Sequence, residues 1–206
     1  MPKLDPDNPR LRTFEQIEPE LREGDVMLYR TKRMFGIGGL IRRATGGIHS
    51  HAEMLCLIRG RWHTCGMVEG TGFSSEPLDE YARKYPGKID LFHPAPHLRV
   101  NGDEFWYDGC DAAEYMRGLR GWKYGWRGIW KLVLMKAPGL WFFVGWDTAD
   151  DPKEDGAAAF CSHAVSAAMM AGGVDPVPNC PNNRVTPHML FTSLAIGHGY
   201  YGTLTA

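Results

Sequence analysis

The chain has 206 residues, of which 44% are hydrophobic and 23% charged, a balance typical of a globular protein large enough to build its own core. Its formal net charge is −1, so it lacks the basic surplus of nucleic-acid-binding proteins, and we expect no nucleic-acid partner. The five cysteines are odd in number and widely spaced, which argues against a disulfide framework and against a Cys-x-x-Cys zinc site.

Residues 1–20 are polar and contain several prolines, so we expect a flexible lead-in there and a single domain over residues 21–206. The lead-in has no apolar stretch that could form the core of a secretory signal. The most apolar segment, residues 132–146, is interrupted by Lys136, Pro138 and Gly139 and is shorter than the roughly 20 residues that cross a bilayer. These features predict a cytoplasmic protein.

The first half of the chain reads mainly as short strands. Runs of β-branched, aromatic and apolar residues between turn signals predict strands at 26–30, 50–58, 62–69 and 88–93. Two short helices are expected among them, a basic one at 40–44 and one at 78–84 that ends at Pro86-Gly87.

The second half is predicted to be mainly helical, with helices at 103–119, 160–171 and 187–196. Thr186 and Pro187 form a favourable N-cap and first-turn pair for the last of these helices. Strands followed by helices indicate an α+β protein and not the alternating pattern of a parallel sheet.

Two groups of motifs stand out from this background. The first comprises Gly24-Asp25-Val26-Met27-Leu28-Tyr29, Leu40-Ile41-Arg42-Arg43-Ala44-Thr45-Gly46 and Ser50-His51-Ala52-Glu53-Met54; the second comprises Trp122-Lys123-Tyr124-Gly125 and Phe160-Cys161-Ser162-His163. In this order they resemble the circularly permuted branch of the NlpC/P60 cysteine hydrolases, the YiiX/YebB-like group, over residues 23–195. The resemblance implies an α+β, papain-like (NlpC/P60) fold, circularly permuted, with a small antiparallel sheet packed against helices.

The same resemblance implies roles for three side chains. Cys161 matches the nucleophile, His51 the base, and Glu69 the polar residue that orients the histidine. The family often has Glu after Cys-Ser, where this chain has His163. The implied activity is thiol-dependent hydrolysis or acyl transfer at an amide or ester carbonyl, without a cofactor, on a peptide or a lipid-like substrate.

The chemistry of a thiol nucleophile supports this placement of Cys161. A thiol must lose its proton to attack a carbonyl, and a helix N-terminus or a neighbouring imidazole lowers its pKa. Residues 157–159 are three alanines, which favour helix and would move the helix start upstream of Cys161. In that case the thiol would lie in the helix interior and gain less from the helix dipole.

The register of the hairpin at 50–58 and 62–69 decides which carboxylate faces His51. A three-residue loop at 59–61 would place His51 opposite Glu69, which is the arrangement we expect. A two-residue Gly60-Arg61 turn would instead place Cys56 opposite Cys65 and favour a disulfide. Glu53, two residues from His51 on the same face, is the alternative orienting residue.

Two other functions remain open from the sequence. His49, His51 and Glu53 alternate along one strand face and could serve a metal-dependent hydrolase. A non-catalytic binding module would instead use the aromatic segment 122–146 as its interface. That segment, in which Trp122, Trp126 and Trp130 recur every fourth residue, is also the candidate for contact with a membrane surface, although packing in the core is the preferred interpretation of the tryptophans.

Overall fold

The computed structural model describes residues 4–30, 46–126 and 158–205. The strands in these ranges are β1 (Leu11–Arg12), β2 (Val26–Arg30), β3 (His51–Ile58), β4 (Arg61–Val68), β5 (Gly72–Pro77), β6 (Lys88–Phe92), β7 (His97–Val100), β8 (Asp103–Trp106), β9 (Lys123–Tyr124), β10 (Ala158–Ala159) and β11 (Tyr200–Leu204). The helices are α1 (Phe14–Ile17), α2 (Leu78–Lys84), α3 (Gly109–Gly118), α4 (Cys161–Ala171) and α5 (Pro187–Thr192), with 3-10 turns at Glu18–Glu20 and Asn182–Arg184.

Seven strands form one mixed sheet in the order β1-β11-β6-β2-β3-β4-β5. The pairs are antiparallel except β1 with β11, which run parallel. The expected small antiparallel sheet is therefore wrong in size and in strand direction. The sequence prediction lacked β5 and β11, because Gly-Phe-Ser-Ser-Glu-Pro and Tyr-Tyr-Gly-Thr-Leu show little apolar alternation.

Helices cover both faces of this sheet. Since successive side chains of a strand point to opposite faces, β2 contributes Val26 and Leu28 to one core and Met27 and Tyr29 to the other. The first core contains the buried residues of α3 and α4, and the second those of α1 and α2. The β3 strand, paired between β2 and β4 inside the sheet, lies between the two layers.

The predicted strand at 26–30 and the helices at 78–84 and 160–171 are confirmed, the last beginning one residue later than expected. The predicted helix at 103–119 is wrong in its first part. This stretch begins as β8, paired with β7, and α3 starts only after Asp108, whose side chain caps its first turn. The helix predicted at 40–44 lies outside the described residues.

The described part of the expected lead-in, residues 4–20, contains regular structure. Its β1 strand pairs with β11, and Ile17 of α1 is fully buried in the second core. Burial of this apolar side chain against the sheet stabilises a segment that is otherwise polar.

The β3–β4 hairpin adopts neither register considered from the sequence. Its turn consists of Arg59 and Gly60, with φ angles of 51° and 76°, and pairing runs from Ile58–Arg61 to Met54–Cys65. Two residues with positive φ give the tight turn that suits the twist of a hairpin. Cys56 and Cys65 lie on the same face of neighbouring strands as free thiols.

In the portion of the chain that the structure describes, we find no helix that combines the length and apolarity needed to pass through a bilayer.

Candidate active site

The first residue of α4 is Cys161, and the preceding chain explains why the helix does not start earlier. Ala158 and Ala159 form β10, which pairs in parallel with Lys123 and Tyr124 of β9. Phe160 follows in an extended conformation as the N-cap residue. The β pairing thus overrides the helix propensity of the alanines and places Cys161 where the unpaired N–H groups of a helix start.

The Cys161 sulfur lies in a set of hydrogen-bond donors. It bonds to the His51 side chain and to the backbone N–H groups of Ala52 and Ser162. Pairing between β3 and β4 ends at Met54. The backbone N–H of Ala52, two residues before Met54, therefore has no partner in that ladder and can donate to the sulfur. Burial opposes ionisation of the thiol, but the His51 charge and these hydrogen bonds outweigh it and lower the pKa of Cys161 below its ordinary value.

His51 connects the thiol to a carboxylate. Its Nε2 lies 3.0 Å from Oε1 of Glu53, which leaves Nδ1 as the ring nitrogen for Cys161. Burial disfavours the imidazolium, but the charge of Cys161, its hydrogen bond and the Glu53 contact raise the pKa of His51 to about 10. Cys161 is 1% exposed, whereas the His51 side chain is 22% exposed. The pair is therefore accessible to solvent through the imidazole.

Glu53 is a buried carboxylate with several donors around it. Oε2 accepts hydrogen bonds from the hydroxyls of Tyr29 and Thr64, and those two hydroxyl oxygens lie 2.9 Å apart. Burial works against its ionisation, yet the contacts with His51, Thr64 and Tyr29 lower the pKa of Glu53. Glu53 is therefore held as the carboxylate that a protonated His51 requires.

The structure thus brings Cys161 and His51 together but places Glu69 elsewhere. Glu69 lies exposed, just after the end of β4. The tight turn shifts the hairpin by one residue from the expected register, and such a shift turns each β4 side chain to the opposite face. Thr64, and not Cys65, therefore shares the face of Glu53, and Glu53 occupies the position next to His51 that was expected for Glu69.

His49 belongs to a different group of side chains. Its Nε2 lies 2.8 Å from Oδ2 of Asp90, which also forms a two-point ion pair with Arg30. His49 and His51 thus bind different carboxylates, which removes the geometric basis for a zinc ion shared between them. Among the described residues, no group of three or more His, Cys, Asp and Glu side chains could hold a metal ion.

Two site residues escaped the sequence analysis. Tyr29 belongs to one of the motifs but was assigned no site role, and Thr64 had no predicted role, because each contacts Glu53 only through a strand register that the sequence did not reveal. The signal that could have identified Tyr29 was its position on the strand next to β3, where it lies opposite the candidate base His51.

The aromatic segment at 122–146 is described only at its beginning. Tyr124 lies close enough for the Cys161 charge to raise its pKa, although burial is the larger cause. Trp126 packs edge-on against Tyr124 and is 38% exposed. Trp130 and the rest of the segment proposed for membrane contact lie outside the described residues.

No family model matches the chain, and no curated protein matches it. Among solved structures, the metalloprotein yiiX from Escherichia coli O157:H7 (DUF1105) is similar at 14% sequence identity and a TM-score of 0.49, over 90% of this chain and 98% of that chain. A similarity of this size says nothing about activity, and the assignment of function depends on the site itself.

Proposed function

We propose that the protein is a thiol-dependent hydrolase or acyltransferase that acts on an amide or ester carbonyl through Cys161, His51 and Glu53. The observation that carries the proposal is the contact between the Cys161 thiol, at the first position of a helix, and an imidazole bound to a buried carboxylate. The nucleophile, the base and the orienting group therefore contact one another in that order. A histidine strand that precedes the cysteine helix fits a circularly permuted papain-like (NlpC/P60) arrangement.

Acylation begins when the Cys161 thiolate attacks the carbonyl carbon and the carbonyl electron pair moves to oxygen. Unpaired N–H groups at the start of α4 stabilise this oxyanion, with a contribution of roughly 3–4 kcal/mol per donor. The tetrahedral intermediate collapses, the bond to the leaving amine or alcohol breaks, and the His51 imidazolium supplies the proton that the leaving group takes. The product is a thioester on Cys161.

Deacylation repeats these steps in reverse with a new nucleophile. Water, or an acceptor alcohol or amine in a transfer reaction, gives its proton to His51 as it attacks the thioester. The carbon–sulfur bond breaks, the thiolate is restored, and the imidazolium is regenerated. The acyl group comes from a peptide or from a lipid; the exposed Trp126 ring beside Tyr124 offers apolar surface to either.

Alkylation of Cys161 by iodoacetamide, followed by peptide mass spectrometry between pH 5 and 10, tests the nucleophile. The pKa of the Cys161 thiol is lowered and that of His51 is raised to about 10. The thiolate–imidazolium pair therefore forms as the pH rises through the pKa of Cys161, and it persists until the pH reaches the pKa of His51. We expect alkylation at neutral pH, and His51→Ala should slow it at least about tenfold at pH 7, since only the two backbone N–H groups then oppose the effect of burial on the thiol pKa.

Cys110, exposed on α3, is the internal control, because burial and its acidic neighbours raise the pKa of its thiol. If Cys110 reacts at neutral pH while Cys161 stays unmodified, the chain is a binding module and not this enzyme. Turnover is then measured on p-nitrophenyl acyl esters and peptide p-nitroanilides, which separate the two substrate classes. Loss of turnover on chelation but not on alkylation would contradict the thiol mechanism.

A further inference from the structure

The buried Glu53 carboxylate accepts two hydrogen bonds from hydroxyl groups in addition to its contact with His51. We infer that Tyr29 and Thr64 are positioning residues, whose hydroxyl groups fix the Glu53 carboxylate so that its other oxygen orients His51 toward Cys161. The inference rests on the proposed function, since it assigns these residues a place in that reaction.

The two carboxylate oxygens of Glu53 have separate tasks. Oε1 faces the His51 Nε2 at 3.0 Å, and Oε2 accepts from both hydroxyls. A glutamate side chain rotates about three bonds, so a single contact to His51 would leave the carboxylate plane free to turn. Two further donors on Oε2 fix that plane and with it the direction from which Nε2 is bound.

The donors come from the two strands that flank β3. Tyr29 lies on β2 opposite His51, and Thr64 lies on β4 opposite Leu55. The Tyr29 ring also packs against the His51 ring, with centroids 5.2 Å apart. Three neighbouring strands thereby hold one carboxylate, and rigid strands position a side chain better than a loop does.

A glycine on the neighbouring strand leaves space for the Glu53 side chain. Gly66, which pairs with Ser74 across β4 and β5, has no side chain where the Glu53 chain crosses it. A Cβ at this position would lie 2.6 Å from Glu53 Cγ. The carboxylate therefore reaches the two hydroxyls only because residue 66 is glycine.

Loss of either hydroxyl should weaken proton binding at His51. A buried carboxylate with fewer donors takes up a proton more readily, and a neutral Glu53 no longer stabilises the imidazolium. The reactive thiolate depends on that imidazolium, so the effect passes from Tyr29 and Thr64 through Glu53 and His51 to Cys161. Neither hydroxyl has to touch the substrate.

The test uses Tyr29→Phe and Thr64→Val, which remove one hydroxyl each with little change in volume, and two readouts that need no substrate. The first is the NMR titration of His51; the second is the pH profile of Cys161 alkylation by iodoacetamide. We expect each variant to weaken proton binding at His51 by about three- to tenfold, because the lost hydrogen bond acts on His51 only through Glu53, and to move the alkylation profile to higher pH.

Thr64→Ser restores a hydroxyl and should restore both readouts, which a purely structural role of Thr64 would not require. Tyr81→Phe is the matched control, because it removes a hydroxyl from a ring that packs edge-on against Tyr29. An unchanged His51 titration in both Tyr29→Phe and Thr64→Val overturns the inference even if Cys161 is reactive. A shifted titration in a protein whose Cys161 never reacts upholds the positioning role and overturns the proposed function instead.

Discussion

A buried thiol ordinarily resists ionisation, and Cys161 shows what is needed to reverse that tendency. With 1% exposure it has little water to stabilise a negative charge. The sulfur instead has two backbone N–H donors and the His51 ring, and together these outweigh burial. Reactivity at this residue therefore depends on its hydrogen bonds, and small displacements of the donors should change it.

Gly66→Ala is a test of such a displacement. The added methyl group meets Glu53 Cγ, so Glu53 must shift from its donors and His51 loses a partner. We expect slower alkylation of Cys161 at pH 7, because His51 then holds its proton less tightly. Gly118→Ala, where a Cβ meets nothing within 4 Å, is the control and should leave the rate unchanged. Equal rates in both variants would contradict the placement of Glu53.

The sequence predicted the site residues unevenly, and the reason lies in backbone geometry. Cys161 and His51 could be proposed from local motifs, and the structure brings them together. Glu69 was preferred to Glu53 because of the family resemblance, and that choice required a three-residue loop at 59–61. Arg59 adopts a positive φ that is uncommon for residues other than glycine, and no local propensity indicates this.

At the scale of elements, the capped start of the last helix was easier to predict than strand pairing, although that helix ends at Thr192 and not at 196. Thr186 was expected to cap the helix that begins at Pro187, and its side chain does accept from the Met189 N–H. By contrast, β8 was taken for the start of a helix, and β11 was not predicted. Caps depend on a few adjacent residues, whereas a strand depends on partners distant in the sequence.

Thr186→Ala should lower the free energy of unfolding by about 1 kcal/mol, because the N–H of Met189 loses its acceptor. Thr186→Ser keeps the acceptor and should retain most of that stability in a urea titration. Thr192→Ala, at the last position of α5, removes a hydroxyl that bonds only to backbone carbonyls of its own helix, and we expect a smaller change. A larger loss at Thr192 than at Thr186 would argue against the capping role.

At the scale of the whole molecule, a second buried carboxylate holds distant parts of the chain together. Asp90 accepts from Arg30 at two points, 2.6 Å each, and from Thr203 of β11, and it also contacts His49. Arg30 in turn donates to the carbonyl of Pro6. The N-terminal segment, the centre of the sheet and the last strand thus meet at one fully buried charge.

Arg30→Met should therefore reduce the free energy of unfolding by about 3 kcal/mol, since it leaves Asp90 buried without its ion-pair partner. Equilibrium urea unfolding measures the loss. Arg61→Met is the control, because the ion pairs of Arg61 with Asp79 and Glu80 lie at the surface and should contribute little. Similar stability losses in the two variants would show that Asp90 does not act as a structural centre.

The separation of β3 from β4 beyond Met54 has a further consequence. The Ala52 amide donates to the Cys161 sulfur, whereas in a continuous sheet it would donate to a carbonyl of the neighbouring strand. When the sulfur becomes a thioester it loses its negative charge and accepts hydrogen bonds poorly. Under the proposed mechanism, formation of the thioester would therefore weaken the contact between β3 and Cys161.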